Sequence, residues 1–425
     1  MVRGAIKSAR PDSDGNRVDL SRSAGGSPRM SRPASPLDLT SVLTQLVQAG
    51  GSDLCLKVGN RPLIRVDGKL RWLDPSAPEL HPADTMEVLH SVLTDERMKE
   101  FETAREIDFA HSVPNLARFR VNGYIQRGSV SMVFRVVPNA IRSLSDLGLP
   151  DVIRRLAEEE RGVILVTGAA GCGKSTTLAA MIEHINETAF KHVVTIEDPI
   201  EYLHKDRRSA IDQREVGTDT DSFEAALRRV MRQDPDVILI GEMRDETTVR
   251  TALAAAETGH LVLSTVHALD APETINRILD FFPPTQQQQA RAMLAGTIKG
   301  IISQRLVPRA DGSGRTAIAE ILTMTGRVHD LILDPVRTGQ LTDVIQEGEY
   351  YGMQTFDQAL YAALQAGDVS MEDAIHFATR PHDLKLLART AGHAHTSMED
   401  AEQQTARESQ RAVTAKPATV RPTGA

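Results

Sequence analysis

The stretch GAAGCGKSTT, from Gly168 to Thr177, sets three glycines ahead of a lysine and three hydroxyl residues. It satisfies the spacing G-x-x-x-x-G-K-[ST], and the chemistry that spacing suits is phosphate binding. Glycines let backbone N–H groups turn inward as an anion cradle. A helix starting at this point adds the positive end of its dipole. The preceding GVILVTG reads as a buried strand and the following KSTTLAAMIEHIN as a helix, which is the context such a loop requires. Lys174 then reaches the β- and γ-phosphates, and the Ser175 hydroxyl is placed to ligate Mg²⁺. The candidate ATP-binding residues here are Gly168, Gly171, Cys172, Gly173, Lys174, Ser175 and Thr176. Cys172 fills a variable slot that needs only a small side chain, and its place at a helix N-terminus is expected to lower its thiol pKa.

Three further segments bring acids and imidazoles. HVVTIEDPIEYLH places Glu197, Asp198 and Glu201 at the end of an apolar strand. RQDPDVILIGEMRDETT places Glu242 at the end of another, followed by Arg244 and Asp245, and TGHLVLSTVHALDA sets His260 and His267 around a third. Phosphate hydrolysis needs a carboxylate to orient or deprotonate water, and carboxylates to hold Mg²⁺ directly or through water. Each feature also has a plain structural reading. Asp198 before Pro199 fits a turn, Asp245 fits a cap for the helix ETTVRTALAAAE, and His260 fits a backbone bond that orients its strand. Their coincidence with a phosphate loop favours a hydrolytic site. The loop alone does not separate an ATPase from a kinase or a GTPase, but no N-K-x-D reader for guanine follows it.

Side chains spaced in this way must be delivered by an open α/β sheet. GVILVTG, HVVTIED, DVILIGE and HLVLSTV are near-continuous apolar runs, the mark of parallel strands buried on both faces. DSFEAALRRVMRQ and ETTVRTALAAAETG are the helices between them, and ligands bind at the carboxyl ends of such strands. After Asp270 the pattern reads as mainly helical, a bundle packed on the sheet. Upstream, LDLTSVLTQLVQAGG has helical spacing and PADTMEVLHSVLTDERMKEFET is a second helical stretch. The segments around it read as strands, with turns at Gly59-Asn60 and Asp67-Gly68. The expected organisation is a disordered tail over 1–36, an N-terminal α+β domain over 37–142 and a hinge, SLSDLGLP, over 143–150. An α/β ATPase domain with a helical C-terminal part follows over 151–390, and a second disordered tail over 391–425.

Composition bounds the partners. The 425 residues carry a net charge of −8 and only 4% aromatics, so neither a basic field nor a stacking platform favours nucleic acid. Cys55 and Cys172 are the only cysteines, too few for a disulfide framework or a four-cysteine zinc site, and they fit a reducing compartment. No apolar run approaches the ~18 residues that cross a bilayer, and no apolar segment follows the N-terminal arginines as in a secretory signal. The expectation is a cytoplasmic protein without direct membrane insertion.

Taken together, the motifs resemble the secretion-ATPase superfamily and, within it, the type IV pilus retraction ATPases. The resemblance rests on GAAGCGKSTT, the acidic box TIEDPIEY, the Walker B segment RQDPDVILIGEMRD, the histidine box TGHLVLSTVHA and the late GMQTFDQAL. It runs from about Leu37 to Leu387. It implies a RecA-like P-loop ATPase domain, a smaller PAS-like N-terminal α+β domain and a helical C-terminal part. It implies Mg²⁺-dependent ATP hydrolysis, with Glu242 as general base and Glu201 placing the water or the metal. His260 and His267 would sense the nucleotide and the subunit interface. Arg120 and Arg135, on strands of the N-terminal domain, would supply phosphate or interface contacts. So would Arg228 and Arg232, read as sharing one helix face at i, i+4. The implied assembly is a homo-hexameric ring peripheral to the inner face of the cytoplasmic membrane. The implied partners are an inner-membrane pilus platform protein and a second retraction ATPase, and the implied work is pilus retraction in twitching motility. ATP bridging the two domains would stabilise a closed state that hydrolysis releases. The chain departs from the family in TGRVHDLIL, where Arg327 and His329 stand in place of the expected Ala and Arg. The alternatives are a pilus assembly or type II secretion ATPase, and a weakly active accessory nucleotide-binding ring. The assembly class carries a four-cysteine motif that this chain lacks.

Overall fold

The computed structural model describes residues 37–66, 68–137 and 141–390. Both expected tails, and Asp67 of the expected turn, lie outside the described residues. The first unit opens with α1 (Leu39–Gln48), whose N-cap Asp38 accepts from Ser41 N at 3.3 Å. Strands β1 (Asp53–Lys57), β2 (Leu63–Val66) and β3 (Lys69–Trp72) follow. Next come α2 (Pro82–Val92) and α3 (Asp95–Ala104), so the second helical stretch is two helices, parted where Thr94 caps α3. Strands β4 (Glu106–Val113), β5 (Ala117–Gln126) and β6 (Ser129–Val137) complete an antiparallel sheet in the order β3-β2-β1-β6-β5-β4. Along β5 the side chains alternate. Ala117, Phe119 and Val121 face the core, while Arg118 and Arg120 share the outer face.

The segment 143–150 packs Leu144 and Leu149 into the core of the second unit. There α4 (Val152–Ala157) leads into β7 (Gly162–Gly168), α5 (Lys174–Thr188), β8 (His192–Glu197) and β9 (Ala210–Glu215). Then come α6 (Phe223–Val230), β10 (Val237–Ile240), α7 (Glu246–Glu257), β11 (Leu261–Val266), α8 (Ala271–Asp280) and α9 (Gln287–Thr297). The sheet order is β13-β12-β7-β11-β10-β8-β9, with β12 (Ile298–Pro308) and β13 (Arg315–Thr323) at one end. All pairs are parallel except β12 with β13. Val163 to Val166 of β7 are at most 1% exposed, and burial of each such side chain stabilises by about 1.5–3 kcal/mol. Helices cover both faces, α4 and α5 on one and α6 to α9 on the other. The chain closes with α10 (Gly326–Leu333), α11 (Leu341–Glu347), α12 (Phe356–Gln365), α13 (Met371–Phe377) and α14 (Pro381–Thr390).

Two expectations are corrected here. The part after Asp270 is mainly helical, but it is not only a bundle packed on the sheet, because β12 and β13 extend the central sheet itself, and β9 adds a strand at its other end. Ile298, Ile301 and Ile302 are spaced like one face of a helix, and a register shift between Ile298 and Gly300 breaks the strand pattern. Arg228 and Arg232 do not share a helix. The helix α6 stops at Val230, and Asp234 four residues on adopts φ +56°, so Arg232 stands in the turn beyond it.

Candidate active site

The phosphate loop joins β7 to α5. Gly168 has φ +139° and Gly173 has φ +94°, a region that side chains other than glycine rarely enter. Gly168 is also pinned by space, since a Cβ there would meet Gln304 O at 2.5 Å and Cys172 Sγ at 2.6 Å. The loop is thus folded against β12, the strand hidden in the sequence. Thr177 Oγ1 donates to Gln304 Oε1 at 2.9 Å, and Thr167 Oγ1 to Ser303 Oγ at 2.9 Å, so hydroxyls on either side of the loop fasten it to that strand. Lys174 Nζ donates to the carbonyls of Gly168 at 2.9 Å and Ala169 at 3.1 Å, holding the ammonium over the loop. Ser175 and Thr176 face the same cavity, and Thr176 Oγ1 is hydrogen-bonded to Tyr202 Oη at 2.7 Å. Cys172 is buried beneath the loop, and burial pushes its thiol pKa up, outweighing Lys174 and the helix amides. The expected lowering does not occur.

A cavity of about 560 Å³ opens at the carboxyl ends of the parallel strands. Gly171, Gly173, Lys174, Ser175 and Thr176 line one side, and Glu197, Asp198 and Glu201 another. Glu197 accepts from Thr195 Oγ1 at 2.7 Å and Gln213 Nε2 at 3.2 Å, while burial pushes its carboxyl pKa up. Glu201 is exposed on the loop beyond β8. Glu242 follows β10, with both oxygens engaged. Arg244 Nη2 approaches Oε2 at 2.8 Å, and His267 Nε2 lies 3.3 Å from Oε1. The hydrogen bond to Glu242 raises the Arg244 pKa further, so its charge is fixed. Asp245 caps α7, accepting from Thr248 N at 2.8 Å, as its plain structural reading held.

The four arginines and two histidines separate. Arg120 reaches the cavity from the outer face of β5, so the N-terminal sheet contributes directly to the site. Arg135, its cross-strand partner on β6, does not line the cavity. It binds the buried Asp53 at 2.8 Å. Burial opposes the ionisation of Asp53, but bonds from Ser52 and Arg135 outweigh it and hold the carboxyl below its usual pKa. Arg228 pairs with Glu224 along α6, and neither it nor Arg232 lines the cavity. His267 lines it, while His260 does not. His260 precedes β11 and His267 follows it, which puts them roughly 20 Å apart at ~3.3 Å per residue. The Nδ1 of His260 lies 2.9 Å from Ala255 O, the backbone-orienting role.

Tyr202, Leu306 and Arg315 also line the cavity and were not singled out from the sequence. Tyr202 sits inside the acidic box and was signalled by that motif. Leu306 and Arg315 belong to β12 and β13 and had no local motif to mark them. Among the described residues no cluster of three or more His, Cys, Asp or Glu forms a closed metal cage. A hydroxyl beside a phosphate cradle, with carboxylates nearby, is instead the donor set of an Mg²⁺ shared with substrate phosphates. No helix among the described residues is long and apolar enough to cross a membrane.

Residues 39–327 match the family model described as type II/IV secretion system protein. The type IV pilus retraction ATPase PilT of Pseudomonas aeruginosa is 41% identical over 347 residues, covering 82% of this chain and 100% of that protein. The type IV pilus ATPase PilU of the same organism is 40% identical over 356 residues, covering 83% of this chain and 92% of that protein. Among solved structures, the pilus retraction motor PilT with bound ADP superposes with a TM-score of 0.75 at 43% identity. That match covers 82% of this chain and 98% of the other.

Proposed function

The chain belongs to the type II/IV secretion system protein family, and on that premise we propose that it is a ring-forming ATPase that powers type IV pilus retraction. The observation that carries the reading is the shared cavity. Lys174 and Glu242 from the parallel sheet and Arg120 from the antiparallel sheet line one space. ATP bound there touches both units, so loss of its γ-phosphate changes how the units hold each other.

In this reading the amides of Gly171 and Gly173 and the Lys174 ammonium hold the phosphates. Ser175 supplies a hydroxyl ligand for Mg²⁺, whose charge when bound offsets that of the phosphates. Glu242 takes the proton of the attacking water, and Glu201, on the loop beyond the neighbouring strand β8, would help place that water or the metal. Arg120 supplies a guanidinium where charge spreads over the transferring phosphoryl oxygens. His267 positions Glu242. The residues 37–142 and 151–390 act as the two moving units, joined by 143–150.

The assembly is a homo-hexamer, with Arg135, Arg228 and Arg232 available for contacts between subunits. It works in the cytoplasm on an inner-membrane platform protein, and a second retraction ATPase acts beside it. Deletion of the gene, followed by microscopy of surface filaments, tests this. Excess, non-retracting pili that disappear on complementation with the wild-type chain, and persist with Glu242→Gln, are the expected result. Absent pili would overturn retraction in favour of assembly.

A further inference from the structure

We propose that Glu215 is a positioning residue that ties the N-terminal sheet to the acidic loop of the active site. The proposal rests on the ATPase reading of that site. Glu215 ends β9 and is 3% exposed. It does not line the cavity. Its Oε2 accepts two hydrogen bonds that come from different units. One is from Arg118 Nη2 at 2.8 Å, and the other is from Ile200 N at 3.1 Å. Its Oε1 accepts from Thr218 Oγ1 at 3.3 Å.

Arg118 and Ile200 each stand close to a cavity residue. Arg118 precedes Arg120 by two positions on the same face of β5, so fixing one guanidinium fixes the strand that presents the other. Ile200 is the residue before Glu201, and its amide sets the path of the loop on which Glu201 stands. The register places Glu215 opposite Glu197 of β8, and Val216 N donates to Glu197 O at 2.9 Å, so the carboxylate arises inside the acidic wall. A second clasp reinforces the first. Arg97 of α3 donates from Nη2 to Gly217 O at 3.0 Å and from Nη1 to Asp108 O at 3.3 Å.

A carboxylate this deeply buried needs a cation or several donors. Withdrawal of the N-terminal sheet removes the Arg118 cation and leaves Ile200 N and Thr218 as its donors. The position of Arg120 and the path of the acidic loop are therefore linked through one side chain. Glu215 acts through both and touches neither the phosphates nor the water.

ATP turnover by the full chain with Mg²⁺ tests this as a double-mutant cycle. Arg118→Ala and Glu215→Gln are expected to lower kcat about tenfold while ADP affinity stays within about threefold of wild type. Arg118→Lys is expected to retain more kcat than Arg118→Ala, because it keeps the charge. Arg120→Ala is expected to cost less in the Arg118→Ala background than in wild type, because its strand is already loosened. A kcat for Arg118→Ala within about twofold of wild type, or losses that multiply without coupling, overturns the proposal. Hydrogen exchange gives a readout independent of turnover. Glu215→Gln is expected to speed exchange both in 198–203 and across 117–121, and a change confined to 215–219 overturns the link. If Glu215→Gln does not fold, Arg118→Ala carries both measurements. Failure of the ATPase reading shows separately, as Glu242→Gln turning over ATP at the wild-type rate, and the exchange result then decides on Glu215.

Discussion

Glu242 Oε1 lies 3.3 Å from Nε2 of His267, each residue standing just beyond the carboxyl end of its own strand, β10 or β11. Arg244 takes the other oxygen at 2.8 Å. The carboxylate is thereby aimed by two neighbours into the cavity that Lys174 also lines. Glu242→Gln keeps the shape and removes the base. Its kcat is expected to fall by about 10²–10⁴ while ADP still binds, checked by phosphate release and by titration with a fluorescent nucleotide. Turnover at the wild-type rate would remove Glu242 from the mechanism.

The histidines differ in the same geometry. His267→Ala is expected to lower kcat by about tenfold, because Glu242 loses one of its two orienting partners. His260→Ala is expected to leave kcat near wild type and to lower stability by about 1 kcal/mol, the worth of its bond to Ala255 O. Parallel assays of turnover and thermal unfolding separate the two.

Gly168→Ala tests the loop itself. The new Cβ would sit 2.5 Å from Gln304 O, a backbone atom of the neighbouring strand, at φ +139°. Strain of about 1–3 kcal/mol and displacement of the loop follow. Lower stability together with lost ADP binding is expected. Gly171→Ala meets nothing within 4 Å, though its φ of +74° still strains a side chain, so its loss of stability should be smaller.

The parts of this site that could be read from the sequence are those where chemistry needs adjacent residues. Gly168 to Thr176 is one such run, and the acidic box and the segment around Glu242 are others. The parts that could not be read depend on which strand neighbours which. Gln304 and Arg315 serve the site only because β12 lies beside β7, more than a hundred residues earlier in the chain, and β13 lies beside β12. Those strands are buried on both faces and lack alternation, so Ile318, Ile321 and Leu322 mimic helical spacing. Strand polarity likewise decided between His260 and His267, which the motif alone left equal. Arg232 was misplaced because a helix end is set by a turn, here the left-handed Asp234, rather than by hydrophobic period.

The arginines give a graded series. Arg120→Ala is expected to lower kcat by about tenfold or more, since it faces the cavity. Arg228→Ala breaks only an exposed pair with Glu224 and should change chain stability by less than about 0.5 kcal/mol. If turnover nevertheless falls in Arg228→Ala, and falls together with ring assembly by light scattering, its role is between subunits.

Glu320 on β13 makes a prediction about pH. It is buried, accepts from Ala271 N at 2.9 Å, and its carboxyl pKa is pushed up from 4.5 to about 7. Burial is the main cause, with Asp270 and Asp357 adding to it and Ala271 N and Arg305 opposing. Between pH 4.5 and about 7 the folded chain keeps a proton on Glu320 that the unfolded chain has released. Stability therefore declines as pH rises through that window and levels off above it, by a total on the order of 3 kcal/mol from this group. Glu320→Gln keeps an acceptor for Ala271 N and cannot ionise. Denaturant unfolding at a series of pH values is expected to show the variant gaining on wild type steadily from pH 4.5 to about 7, with no further gain above. Parallel curves for the two chains would mean that Glu320 titrates at its ordinary pKa in the fold.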